Sequence, residues 1–287
     1  MLVKRIVLLF FRDRANVFFS LLVVLIILGL YILFLGDMME GALRANLGFD
    51  SDKIGITMSS IVLGGMIAVT GITSCMGALE ISVEDKKIAS KDFLTSPAPR
   101  AKITSGYIFG AASIGLIMSI IALFVCLVYI ILNGGSLPGL AGFVLLLLTV
   151  LLSVLCGNAM VYFMSLFIKT QNAFAAVSTV LGTLIGFLMG IYVPMGQMPE
   201  AVQWVIKCFP MTHAASMMRQ LLADGELAEL FAGAPSEILN GFREMFGIVL
   251  VFGDYTASFW FSALVLLVTT IVFYMLSVLV LRLRKEG

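Results

Sequence analysis

Ionisable side chains are few in this chain, so the first question is what chemistry they could do. There is one histidine, His213, and there are four cysteines. A metal site needs several ligands, so His213 reads as a surface or helix-end residue and no metal site follows. Cys75, Cys126 and Cys156 lie in apolar runs and Cys208 stands alone. They read as small buried hydrophobes, not as a disulfide framework. No GxxxxGK[ST] phosphate loop and no HExxH pair occurs, so ATP binding through a P-loop and an intramembrane metalloprotease are both excluded. Gly253-Asp254 has no second intramembrane aspartate with which to form a catalytic pair. The dense group of charges is the stretch 80–102, EISVEDKKIASKDFLTSPAPRAK, with nine charges between two long uncharged runs. Such a stretch is either a docking surface for a partner protein or a solvated loop.

The elements around that stretch follow from composition. The chain has 287 residues, 61% apolar and 12% charged, against about 25% charged in soluble domains. Its mean hydropathy is +1.10. A bilayer can absorb that much apolar surface and a soluble core cannot. The net charge of +1 offers no field to nucleic acid. The first uncharged run, 17–36, is 20 residues long, which as a helix is about 30 Å, the thickness of the hydrocarbon core. Five further spans run over about 54–79, 103–132, 140–168, 173–193 and 259–281, and every Asp, Glu, Lys and Arg falls outside the six. Thirteen of the eighteen Lys and Arg lie on the side of the N-terminus, which places both termini in the cytoplasm. The expected fold is all-α: one polytopic transmembrane domain over 1–287 with six membrane helices. The N-terminal stretch 1–16 reads as a basic interfacial helix or as a basic flank of span one. The segment 194–258 reads as extracellular, with short re-entrant or amphipathic helices over about 199–209, 211–222 and 235–249. In the last of these Ile238, Leu239, Phe242, Met245, Phe246 and Val249 share one face.

No group that could titrate near neutral pH lies in the spans, which argues against proton-driven transport. Energy for any uphill movement would enter from outside the membrane, and the sizeable inner loop is 80–102. Within it Ser82 could cap a surface helix, with Glu84 and Asp85 in its first turn, Lys86, Lys87 and Lys91 further on, and Pro97 and Pro99 as the stop. In span five Ser178, Gly182, Gly186 and Gly190 recur every four residues. Small residues at this spacing let a second helix approach closely, either another span of the same chain or the same span of a second copy. Span two has a looser version in Gly64, Ala68, Gly71 and Cys75. Asn158 is the one amide well inside a span and reads as an interhelical hydrogen bond.

Taken together, these parts resemble the membrane-spanning permease subunit of bacterial ABC transporters of the type-2 permease family. Lys4-Arg5 and Arg12-Asp13-Arg14 match its basic N-terminal helix. Glu80 opens the first cytoplasmic loop, and Leu94, Pro97, Pro99 and Arg100 close it in a Leu-Pro-Arg pattern. Tyr192, Pro194, Pro199, Phe209, Pro210 and Thr212 match its last outer loop. The stretch from Ala223 to Asp254 is longer than in many relatives. The resemblance implies a multi-pass protein of the bacterial plasma membrane, not itself an enzyme and without a cofactor of its own. A separate ATP-binding subunit would hold ATP and Mg, and two permeases would join two ATPases. Glu80, Ser82, Glu84, Asp85, Lys86, Lys87 and Lys91 would couple to that ATPase. Spans two and five would line the path, with spans one and five meeting the dimer mate. An uncharged path suits a drug, lipid or hydrophobic peptide, and Met58, Met66, Phe187 and Met189 read as adaptable contacts there or as plain packing. Two other classes fit the same hydropathy: an ATP-independent channel or facilitator, and a non-transporting immunity or sensor protein.

Overall fold

The computed structural model describes residues 2–36, 41, 53–88 and 100–283. Among the described residues, helices run over Leu2–Arg12 (α1), Arg14–Leu30 (α2), Lys53–Ile88 (α3), Arg100–Leu132 (α4), Leu140–Ser165 (α5), Gln171–Leu188 (α6), Glu200–Cys208 (α7), Pro210–Leu230 (α8), Ser236–Met245 (α9) and Phe259–Leu283 (α10). Five of them, α3, α4, α5, α6 and α10, are long and apolar enough to cross a membrane. The remaining expected span corresponds to α2, which continues into a π turn over Tyr31–Leu35 without a charge beyond Arg14.

The chain ends meet at one end of the bundle. Leu2 of α1 sits against Gly106 in the first turns of α4, and Leu281 of α10 shares a cleft with Thr104. α1 is a true helix that turns Ile6 and Phe10 inward and leaves Lys4 and Arg5 exposed. Its apolar face lies on α4, with Ile6 over Gly110. At the opposite end Lys53 pairs with Glu229. Nearby, the backbone N–H and hydroxyl of Ser136 both donate to Glu226 at 2.7 Å.

α3 is the axis of the body. Most of its span is buried, whereas little of α6 or α10 is. Partners surround it, so its sequence carries no one-sided apolar stripe. Small residues let them in. Gly71 faces the hydroxyls of Ser119 and Ser153, and Cys75 fills the space over Gly115 of α4. Gly157 of α5 lies against the backbone of Ile72. The Gly71–Cys75 pattern is thus used for packing inside one chain.

Two expectations are corrected. No new helix starts at Ser82: α3 runs unbroken through Ile88, and Ser82 is a buried position within it. The residues around Ser82 (Leu79, Val83) are core residues, so burial extends the span's own helix two turns past Glu80. Glu84 is exposed there, Asp85, Lys86 and Lys87 lie in its last turns, and Lys91, Pro97 and Pro99 fall outside the described residues. In the outer segment α8 is a 21-residue helix started by Pro210, not a short one over 211–222. It is part of the core, packed on α3, α5 and α10. α9 does present Phe242 and Phe246 inward as expected, whereas Ile238 is left exposed. A small antiparallel hairpin, Val251–Phe252 (β1) with Tyr255–Thr256 (β2), turns at Gly253, whose φ is +61°.

Candidate functional site

A groove of about 470 Å³ runs between α2, α3 and α6. Its wall on α3 carries Thr73, Gly77 and Glu80, and its wall on α6 carries Ser178, Thr179, Gly182 and Thr183. At helical spacing these α6 residues share one face, so the α6 stripe does mark a surface. The hydroxyls of Thr73, Thr179 and Thr183 each donate to a backbone carbonyl one turn back, at 2.9–3.0 Å. With their protons used, the oxygens show only lone pairs to the groove. Ser178 Oγ is buried and has no hydrogen-bond partner among the described residues. Glu80 closes the end at the first turn of α6, where its carboxylate accepts from the Gln171 side chain at 3.3 Å, tying α3 to α6. Tyr192 closes the opposite end. Among the described residues no Lys or Arg lines the groove, so its polar face is made of hydroxyls, three of them with their protons already used, and one acid.

The stripe at four-residue spacing divides in two. Ser178 and Gly182 face the groove, and nothing lies within 4 Å of a Cβ built at Gly182. Gly186 instead seats the ring of Tyr192, which a Cβ there would meet at 2.1 Å. Gly190 lies past the end of α6 and ends it, with φ at +60°. Gly186 and Gly190 therefore pack and terminate the helix within this chain. Of the suggested path residues, Met58, Met66 and Met189 are fully buried in the core. Phe187 is exposed and stands edge-on to Tyr192, with ring centroids 5.1 Å apart.

Above the groove sits a residue that the uncharged spans gave no reason to single out. Arg219 of α8 is 1% exposed. Its guanidinium donates to the carbonyls of Ile61 on α3 (3.2 Å), Met189 and Gly190 at the end of α6 (2.7 and 3.1 Å), and Gly247 after α9 (3.3 Å). The carbonyls at the end of α6 carry the negative pole of that helix, which suits a cation. Burial lowers the guanidinium to about 10, so it remains charged at neutral pH. Gly64 and Gly65 make the room: a Cβ at Gly64 would stand 3.0 Å from the Arg219 backbone nitrogen. The sequence signal was there, in Gly64-Gly65 of span two and in the small-residue run Ala214-Ala215-Ser216 before Arg219.

His213 is in the first turn of α8 but is not on the surface. It is 2% exposed, with Nδ1 3.1 Å from Ser262 Oγ, Nε2 3.2 Å from the Lys207 carbonyl, and the Phe252 ring stacked on it. Burial lowers its pKa to about 4, against an ordinary 6.5. Folding thus favours the neutral ring. The associated stability is fully present above pH 6.5 and is lost as pH falls towards 4, by up to roughly 3 kcal/mol. Melting midpoints of the detergent-solubilised protein should fall over that window, and His213→Gln should flatten the fall. An equal slope in both proteins would show that His213 does not cause it.

Other placements are plain. Asn158 Nδ2 donates to the Ile108 carbonyl at 2.8 Å and to the Tyr274 hydroxyl at 3.2 Å, the interhelical role expected. Cys75, Cys126 and Cys156 are buried, while Cys208 is exposed at the end of α7. No group of three or more His, Cys, Asp or Glu able to hold a metal occurs among the described residues. No curated protein sequence matches the chain. The family model described as ABC-2 type transporter matches residues 1–223, from α1 into α8.

Proposed function

Because the chain belongs to the ABC-2 type transporter family, a family of transporter membrane components, we propose that it is the permease subunit of an ATP-driven exporter in the bacterial plasma membrane. Two copies pair, and each rests on a separate ATP-binding subunit that holds ATP and Mg. The observation that carries this reading is the groove between α3 and α6, lined by hydroxyls and one acid and without a Lys or Arg among the described residues. α6 packs on the body by one face and leaves Val180, Leu184 and Phe187 exposed, so a second copy brought against α2 and α6 closes the groove into a path. Ser178 and Gly182 are the small residues of that seam.

α3 carries the force. At 36 residues it is about 54 Å long, against a hydrocarbon core of about 30 Å. Its inner end bears Glu80, Ser82, Glu84, Asp85, Lys86 and Lys87, and it leads into the loop with Lys91. A push on that loop moves α3 as one rod, and the Glu80–Gln171 bond passes the motion to α6. The substrate is an amphiphile: an apolar body for the membrane, and a head that donates hydrogen bonds or carries positive charge for Thr73, Thr179, Thr183 and Glu80. A drug, a lipid or a hydrophobic peptide with a basic group fits that description.

The test is capture of the chain from native membranes followed by an ATPase assay. Wild type should bring down an ATPase whose activity rises with a cationic amphiphile. Glu84→Ala with Lys87→Ala should lose the partner or at least tenfold of the stimulated activity. Transport that persists with no ATPase bound would favour a channel or facilitator. A bound ligand with unchanged fluxes would favour an immunity or sensor protein.

A further inference from the structure

A second cavity lies at the inner end of the bundle, away from the groove. It is a cleft of about 270 Å³ between α4 and α10, floored by Leu155 and Tyr162 of α5. Phe109 and Val278 stand at its lips and are largely exposed, so it opens sideways to the membrane. Its lining is almost wholly apolar, and its few hydroxyls each have a hydrogen-bond partner. Tyr274 is bonded to Asn158 and Tyr162 to Thr104. The hydroxyls of Ser105 and Ser277 donate to the Lys102 and Phe273 carbonyls at 3.1 and 2.7 Å. A cleft whose lining is almost wholly apolar suits hydrocarbon and disfavours polar molecules.

Its mouth is of the opposite character. Lys102 stands three residues before Ser105, and Arg282 four residues after Val278. Each cation is thus one turn beyond a lining residue, on the same helix face. Both are exposed, and no acid lies in the first turn of α4. The charge distribution puts this end at the cytoplasmic leaflet.

The geometry points to a binding site for one anionic phospholipid of the inner leaflet, its acyl chain in the cleft between α4 and α10 and its phosphate between Lys102 and Arg282. The site is independent of the groove. A zwitterionic lipid offers the same chain but no net charge, so the two cations set the choice of headgroup. Basic residues near a lipid surface each favour an anionic headgroup by a few-fold, and two together by about 30-fold.

Native mass spectrometry of the full chain in mild detergent, titrated with phosphatidylglycerol or phosphatidylcholine of equal chain length, tests this. One phosphatidylglycerol should be retained per chain, about 30-fold more strongly than phosphatidylcholine. Lys102→Gln with Arg282→Gln, both exposed and safe for folding, should lower phosphatidylglycerol to the phosphatidylcholine level and leave the latter unchanged. Ala112→Phe, which fills the cleft, should release both lipids. Equal retention of the two lipids by wild type would overturn the proposal. So would a preference that survives loss of both cations, or phosphatidylglycerol still held by Ala112→Phe.

Discussion

Arg219→Ala should lower the stability of the protein by about 3–5 kcal/mol, the largest effect expected of any single substitution in the outer segment. The change takes the side-chain donor from four carbonyls: that of Ile61 keeps its helix bond within α3, while those of Met189, Gly190 and Gly247 lose theirs. A buried acceptor stripped of its partner costs about 1–3 kcal/mol. Release from the desolvation cost of the guanidinium offsets part of that sum. The measurement is the thermal midpoint of the detergent-solubilised protein, with an expected fall of about 10 °C. Arg219→Lys keeps the charge and most of the stem but places three donors on one nitrogen, which cannot fork to carbonyls on three segments. It should recover less than half of the loss. Wild-type stability in Arg219→Ala would mean that the four carbonyls are satisfied in some other way and that α8 is not held by this residue.

Gly182→Trp should cut export of a cationic amphiphile more than tenfold and leave the fold intact. A side chain at Gly182 enters the groove and meets nothing within 4 Å of its Cβ. One turn further along α6, Gly186→Trp should fail differently. Its Cβ runs into the Tyr192 ring at 2.1 Å, so protein yield and melting temperature should fall along with transport, at the cost typical of overpacking. The pair separates a change in the groove and its seam with the second copy from a broken helix contact within the chain. Wild-type export by a well-folded Gly182→Trp protein would remove the groove from the path.

The spans were legible because the signal behind them is length and charge exclusion, and neither depends on partners. The uncharged runs starting at about Ile54, Ile103, Leu140, Ala173 and Phe259 each begin within about three residues of a helix. Helix ends were less legible. Glu80 and Glu84 suggested an end to span two, yet the helix goes on to Ile88 because Ser82 and Val83 are buried by neighbours remote in sequence. The four-residue stripe of α6 announced close approach but not its author. The same spacing serves an open groove at Gly182, an aromatic ring at Gly186 and a helix stop at Gly190. Gly253-Asp254, considered only for catalysis, was a turn signal: glycine at the first position of a two-residue hairpin loop. Arg219 was hidden by its own surroundings. An arginine in a loop region reads as solvated, and only the tertiary arrangement shows four carbonyls converging on it.

That arrangement also fixes an order of assembly. Burying an arginine without partners is costly, and α8 carries Asp224, Glu226 and Glu229 besides Arg219. Every acceptor for the guanidinium belongs to another segment: α3, the end of α6, or the turn after α9. During synthesis, α8 leaves the ribosome after α3 and α6 but before the turn at Gly247. It therefore has no complete set of partners until the chain beyond α9 has emerged. The outer layer is completed only after α9, and chain truncated before Gly247 is left with a cation it cannot bury in full.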